Sequence, residues 1–374
     1  MHYFQHKRTK TLWIYALLMI CSIGSIIFSF HNYDMYKRPI AKIIDSKVIE
    51  TSEVTDEFDN KDKVFKQHLT AKVKNGAHQG EIIVLANKYS TSGAYDEPYK
   101  KGNDVFVSFD KNKSDDGKLK GSISGVKRDK YTVIIAWFFF FALILVGKRQ
   151  GLFTSISLMV NIIILSYALD IYVKTGTNLL WICGILVVLF TIISLLLVNG
   201  MNEKSYTAII ATIGGTFLGL LITFLVMKVT DESGLHYEEM QFLTRPYNLI
   251  FLAGLFIGSM GAVMDVAISI STAMFEMYES DENVPIKQLK KSGFTIGKDI
   301  MGTMTNILFF AYVSGSIPIL ILYITNRSPL GFTLSINLSL EVARALAGGI
   351  GIVLTIPISL YIAIFFIQRK RARS

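Results

Sequence analysis

Eight nearly uninterrupted apolar stretches govern what this chain can become. They fall at 12–30, 131–146, 152–169, 179–198, 206–227, 249–274, 300–324 and 345–367. A helix rising about 1.5 Å per residue needs roughly 20 residues to cross about 30 Å of hydrocarbon. Only the second stretch falls clearly short, and there Trp137 is followed by four phenylalanines. Backbone N–H and C=O groups find no water in lipid, so each stretch is expected to be helical. The fold class that follows is an all-α polytopic membrane bundle of eight transmembrane helices, with a small β-rich extracytoplasmic domain after the first of them.

Orientation is read from the basic residues of the short loops and tails. With the N-terminus inside, the inner segments collect Lys7, Arg8, Lys10, Lys148, Arg149, Lys204, Lys287, Lys290, Lys291, Lys298, Arg369, Lys370, Arg371 and Arg373, against Lys174, Lys228, Arg245 and Arg327 on the other side. Lys and Arg accumulate on the cytoplasmic side of membrane proteins, so both termini are expected in the cytoplasm. The same bias accounts for the formal net charge of +9. The lipid bilayer, not nucleic acid, is therefore the partner that the charge implies. The first stretch follows a basic cluster, as a signal peptide would. It is longer than the apolar core of such a peptide, and Phe28-Ser29-Phe30-His31 offers no small residues for cleavage, so an uncleaved anchor is expected.

Residues 31–130 are different in kind, rich in Lys, Asp, Gly and Ser. Alternating or β-branched runs at 48–51, 64–73, 81–86 and 105–109 are separated by turn signals at Asn75-Gly76, Ser92-Gly93, Lys101-Gly102 and Asp116-Gly117. This pattern predicts a five-stranded barrel or sandwich outside the membrane. His68 and His78 have no Cys or carboxylate at ligand spacing, so neither a metal nor another cofactor is expected. Cys21 and Cys183 both fall inside apolar stretches, which leaves the external domain without disulfides.

Asp265 is the residue that the apolar pattern cannot absorb. A carboxylate at bilayer depth costs roughly 2.5–3.5 kcal/mol on insertion scales, so it is expected to face a bundle interior or a wet cavity. Asp265, Ser269, Thr272 and Glu276 recur at steps of 4, 3 and 4, which puts them in one stripe of a helix turning about 100° per residue. Gly254, Gly258 and Gly261 share that helix and are small enough for another backbone to come close, so the stripe is expected inside the bundle. Glu276 taken alone also reads as a solvated helix end, beside Glu279, Asp281 and Glu282.

Residues 284–297 place Ile286, Leu289, Phe294 and Ile296 among Lys287, Lys290 and Lys291. That is the pattern of an interfacial helix on the inner leaflet, with lysine stems over the apolar layer and ammonium groups at the headgroups. The next span opens with Asp299, Thr303 and Asn306 on one face. An amide at that depth needs a hydrogen-bond partner. The Asp265 stripe is the simplest one, and bonding to another helix is the alternative. At the outer end of the last span Asn337, Glu341 and Arg344 share a face, where the last two are placed to pair. Gly348, Gly349 and Gly351, with Pro357, predict close helix packing and a kink.

The run from Gly258 to Ser271, together with Glu341, Arg344, Gly348 to Gly351 and Ile356-Pro357-Ile358, resembles the YibE/F-like family of bacterial membrane proteins. The domain after a single anchor is similar to the longer, YibE-like members. The resemblance implies a bacterial plasma membrane, and as partner a shorter family member or a second copy. Gly261 to Ile268, of the form G-x-x-x-D-x-A-I, and Gly302-Thr303-Met304-Thr305 are also similar to half of a resistance-nodulation-division transporter, in which an intramembrane Asp relays protons. This chain departs from that pattern in its eight expected spans, its smaller external domain and its lack of an intramembrane Lys beside Asp265.

The expected function is a transporter of a small solute or ion, coupled to protons, with Asp265 titrating in a cavity lined by Ser269, Thr272, Thr303 and Asn306. The alternative is a non-transporting scaffold or sensor whose external domain binds a ligand or partner. Enzymatic activity is not expected. All six His lie outside the spans, no paired nucleophile and base stands in them, and no G-x-x-x-x-G-K motif is present.

Overall fold

The computed structural model describes residues 2–93, 96–110, 119–240 and 246–373, and the chain divides into two units, Met1–Ala142 and Leu143–Ser374. The first begins with helix α1 (His2–His31), followed by a short 3-10 turn, Tyr33–Met35. Five strands come next: β1 (Ile40–Thr55), β2 (Lys61–Val73), β3 (Ile82–Ser90), β4 (Asp104–Phe109) and β5 (Leu119–Val126). They close into a barrel in the order β1-β2-β3-β5-β4, with β3 and β5 parallel and the other pairs antiparallel. Side chains alternate across a strand, and the inward set, including Ile43, Leu69, Ile83, Leu85 and Val105, forms one buried core. The barrel, not the sandwich, is the form taken.

Strand β5 escaped the sequence reading because Gly121, Ser122, Ser124 and Gly125 dilute its strand character. Packing explains the first of these. A Cβ on Gly121 would collide with the Ser108 carbonyl of β4, so only glycine lets the two strands pair there. Three of the expected turns carry a glycine in the left-handed region, Gly76 at φ 82°, Gly93 at 60° and Gly102 at 95°. Asp116-Gly117 lies outside the described residues.

Helix α2 (Asp129–Thr175) contains both the second and the third expected spans, joined through Lys148 at φ 48° and ψ −116°. It is followed by α3 (Leu179–Asn199), α4 (Glu203–Val229), α5 (Tyr247–Ser280), α6 (Ile286–Ser314), α7 (Ile317–Thr325) and α8 (Leu330–Arg371). Among the described residues, five helices are long and apolar enough to cross a bilayer: α2, α3, α4, α5 and α8. The pair α6 and α7, bent by 54°, makes a sixth when taken together, and Ala16–His31 of α1 is a shorter apolar helix. The chain is a mostly helical, multi-pass membrane protein with a β-barrel domain near its N-terminus.

Two boundaries differ from expectation. The segment 284–297 is not a separate interfacial helix, because α6 runs unbroken from Ile286 to Ser314. Gly293 and Gly297 do not interrupt it. They are the contact points, since a Cβ on Gly297 would collide with Ile356 and one on Gly293 would lie 2.7 Å from Leu360. The break comes at Gly315 and Ser316, just before Pro318, whose ring nitrogen has no hydrogen to donate to the preceding turn. Likewise α8 starts at Leu330 rather than at 345, so Asn337, Glu341 and Arg344 are helical.

Small residues decide how closely these helices pack. On α4, a Cβ on Gly219 would lie 3.0 Å from Gly351 Cα, and one on Gly215 would collide with the Thr355 hydroxyl of α8. On α8, a Cβ on Gly348 would strike Leu308, and one on Gly349 would rest 3.5 Å from Thr305. In lipid, where burial of apolar surface gives little advantage, such close approach is a main source of helix affinity.

Candidate functional site

Helix α5 is the central helix of the second unit. Val263, Val266, Ala267 and Ile270 are fully buried on it, and its neighbours include α3 through Phe256 and Met260 and α6 and α8 through Val263, Ile270 and Met274. One stripe is left open. Gly254, Gly258 and Asp265 are exposed, Gly261, Ser269 and Thr272 are half-buried, and Glu276 is exposed near the end of the helix. Among the described residues, nothing would stand within 4 Å of a Cβ on Gly254 or Gly261, whereas Gly258 lies against the Tyr312 hydroxyl. The expectation that this stripe lies inside the bundle is not met within the single chain, where only Gly258 of the three glycines has a described neighbour.

Asp265 therefore projects from the side of α5 opposite its packed face. Among the described residues it has no hydrogen-bond or ion-pair partner. The hydrogen bond expected from Asn306 is not formed within the chain. Asn306 is exposed on α6, where it joins Asp299, Gly302, Thr303, Ile307, Phe310 and Ala311 in lining an open groove of about 790 Å³. The Thr303 hydroxyl donates to the Asp299 carbonyl one turn back, at 3.4 Å. Asp265 and the Thr303–Asn306 turn thus belong to adjacent helices but not to one closed cavity of the single chain.

About three turns into α8, Arg344 Nη1 donates to Glu341 Oε1 at 2.6 Å, with both side chains about four-fifths buried. The guanidinium also stands over the Phe251 ring at 5.2 Å, which ties this pair to α5. Asn337 is turned inward and donates to the Thr333 carbonyl at 2.9 Å. Tyr312 was not singled out by the sequence. Its hydroxyl is buried without a partner among the described residues, directly over Gly258.

The first unit holds a second polar cluster. Lys127 Nζ is buried and donates to the Ser29 carbonyl at 2.7 Å and to Asp129 at 2.8 Å. Asn32 and Tyr36 donate to the same carboxylate. Lys130 Nζ reaches Asp104 Oδ2 at 2.9 Å, and Tyr33 donates to Oδ1 of that carboxylate at 3.1 Å. Burial, then the Asp104 charge, pushes the Tyr33 hydroxyl up to about 12. The signal in the sequence was the charged run Lys127-Arg128-Asp129-Lys130 directly before a long apolar stretch.

Two family models account for nearly the whole chain. Residues 135–369 match the YibE/F-like protein family, and residues 34–126 match the YibE/F family N-terminal domain. The chain belongs to the YibE/F-like family. The boundary between the two matches falls where the barrel of this YibE/F-like chain gives way to α2. No curated protein and no solved structure matches the chain.

Proposed function

We propose that this YibE/F-like chain moves a small solute or ion across the bacterial plasma membrane, coupled to protons through Asp265. The observation that carries the reading is the placement of Asp265: a carboxylate in mid-helix, exposed on α5 and without a partner among the described residues. Ionisable groups at bilayer depth mark ion pathways and proton relays. Ser269, Thr272, Thr303 and Asn306 supply hydroxyls and an amide for a solute path beside it, and these groups support binding and release rather than catalysis.

The membrane topology proposed with this reading has eight crossings. They are Ala16–His31, the two limbs of α2 on either side of Lys148, α3, α4, α5, the bent α6 and α7 pair, and α8. An even number places both termini on the same side, and the basic bias of the short segments favours the cytoplasm.

The test uses purified protein in liposomes that hold a pH-sensitive dye, challenged with a panel of small inorganic and organic ions. Asp265→Asn keeps the size and hydrogen-bonding capacity of the side chain but cannot titrate. The expected result is a solute-evoked pH change with the native chain and none with the Asn variant. An Asn variant that folds and still couples solute to protons would show that the relay lies elsewhere.

A second reading, a sensor whose barrel binds a partner, is favoured by one observation. Strand β1 pairs with β4 only at Ile40 to Lys42 but with β2 as far as Thr55. Among the described residues its outer half is an edge, which is a surface that an added strand would extend.

A further inference from the structure

The open stripes of α5 and α6 lie at the same level of the bundle. Two close approaches set the register of these antiparallel helices: Gly258 against the Tyr312 hydroxyl, and Gly293 against the Met274 sulfur, 2.7 Å from a Cβ built there. Interpolating between them brings Asp265 level with the turn that carries Thr303 and Asn306. Around α6, Gly297 faces Ile356 and Leu308 faces Gly348, both on α8. Thr303 is well over a quarter-turn from either at about 100° per residue, so it points away from that contact. The outward surface thus presents an acceptor on α5 and donors on α6 at one depth.

That surface cannot face hydrocarbon as it stands. An unsatisfied amide or carboxylate in lipid costs several kcal/mol, and Asp265 and Asn306 have no hydrogen-bond partner among the described residues. A twofold axis along the bilayer normal keeps every residue at its own depth while it turns the surface onto itself. It would bring the donors of one copy level with the acceptor of the other, twice over. The unfilled space beside Gly254 and Gly261 admits a close helix, as small residues do at membrane helix contacts.

We infer that this face is the contact between two copies of the chain, in which Asp265 of each copy accepts hydrogen bonds from the Asn306 amide of the other and from its Thr303 hydroxyl, which turns away from its long 3.4 Å bond to the Asp299 carbonyl. The site proposed above is then completed between copies, not within one. The inference rests on that reading only in placing Asp265 at bilayer depth. Coupled flux without contact between copies would overturn the dimer alone, and contact without flux would overturn transport alone.

The experiment is disulfide crosslinking in native membranes between two differently tagged full-length chains, each carrying Cys21→Ser and Cys183→Ser. One carries Gly261→Cys and the other Ile307→Cys. These positions are level in the register above, and neither alters a polar group of the site. The control replaces the first with Leu346→Cys, an exposed position of α8 near the same level, since Gly348 packs on Leu308. The expected result is a band of doubled mass carrying both tags for the 261 and 307 pair, and none for the control. Equal bands in both arms would mean random collision and overturn the proposal. No band, with both chains folded by thermal unfolding, would overturn it too, and so would a crosslink of either cysteine only to a different membrane protein. As a second variant, Gly254→Leu should abolish the 261 and 307 crosslink without lowering the unfolding midpoint, because Gly254 is exposed and no described residue of the same chain lies within 4 Å of a Cβ there. An undiminished crosslink would show that the stripe is not in the contact.

Discussion

Lys130 Nζ lies 2.9 Å from Asp104 Oδ2, and both side chains are more than nine-tenths buried. The lysine opens α2 and the aspartate opens β4, so one ion pair ties a membrane helix to the barrel within the first unit. Removing one partner of a buried pair leaves an uncompensated charge, at a cost of about 3–5 kcal/mol. Asp104→Ala should therefore lower the thermal midpoint of the full chain more than the double change Asp104→Leu with Lys130→Met. Equal losses would mean that water reaches the pair.

Tyr33 makes the same region sensitive to alkali. Its hydroxyl is raised from 10.0 to about 12 in the folded chain, so the folded state holds this proton more firmly than the unfolded state does. The stabilisation is complete below pH 10 and is lost as the pH rises through 12. Between those values the native protein should lose stability more steeply than Tyr33→Phe in denaturant titrations. Parallel curves would remove Tyr33 from the account.

The Arg344 and Glu341 pair is about four-fifths buried, between the surface and core limits. Arg344→Ala abandons the Glu341 carboxylate and also loses the contact over Phe251. It should cost about 2 kcal/mol, between the values for exposed and buried pairs. Glu341→Gln with Arg344→Gln should cost less, measured as midpoint shift in detergent.

Glycines that look alike in the sequence should behave differently. Gly297→Leu drives a side chain into Ile356, and Gly219→Leu forces α4 off Gly351, where the contact is already 3.0 Å for a single carbon. Overpacking of this kind typically costs about 1–3 kcal/mol or more. Both should reduce the yield of folded protein in fluorescence-detected gel filtration, whereas Gly261→Ala, with no neighbour, should leave it unchanged.

The proposed topology is checked by labelling single cysteines in a background without Cys21 and Cys183. Lys100→Cys, on the barrel domain, should react with an impermeant maleimide on intact cells. Arg373→Cys should react only after permeabilisation. Arg373 is preferred to Arg371, whose guanidinium donates to the Val284 carbonyl at 2.7 Å. Labelling of Arg373→Cys on intact cells would refute the eight crossings.

Much of the architecture was already determined by the sequence alone. Apolar length dictated helices because lipid offers the backbone no other partner, and alternation with Gly turns dictated a β domain at 31–130. The YibE/F-like resemblance likewise needed only the residues around Asp265, Glu341 and Gly348. The tertiary structure decided which polar groups meet. Spacing put Asp265, Ser269 and Thr272 on one face of a helix, but periodicity cannot say whether that face turns inward or outward. That depends on where α3, α4, α6 and α8 pack, and they take the opposite face, leaving Asp265 open. The Lys127 and Lys130 clusters were hidden for a related reason, because Ser29, Asp104 and Lys130 are far apart along the chain and only the closure of the barrel brings them together. Local patterns follow from short-range chemistry that a sequence carries in full, whereas the pairing of charges and the facing of a stripe are set by contacts between distant segments.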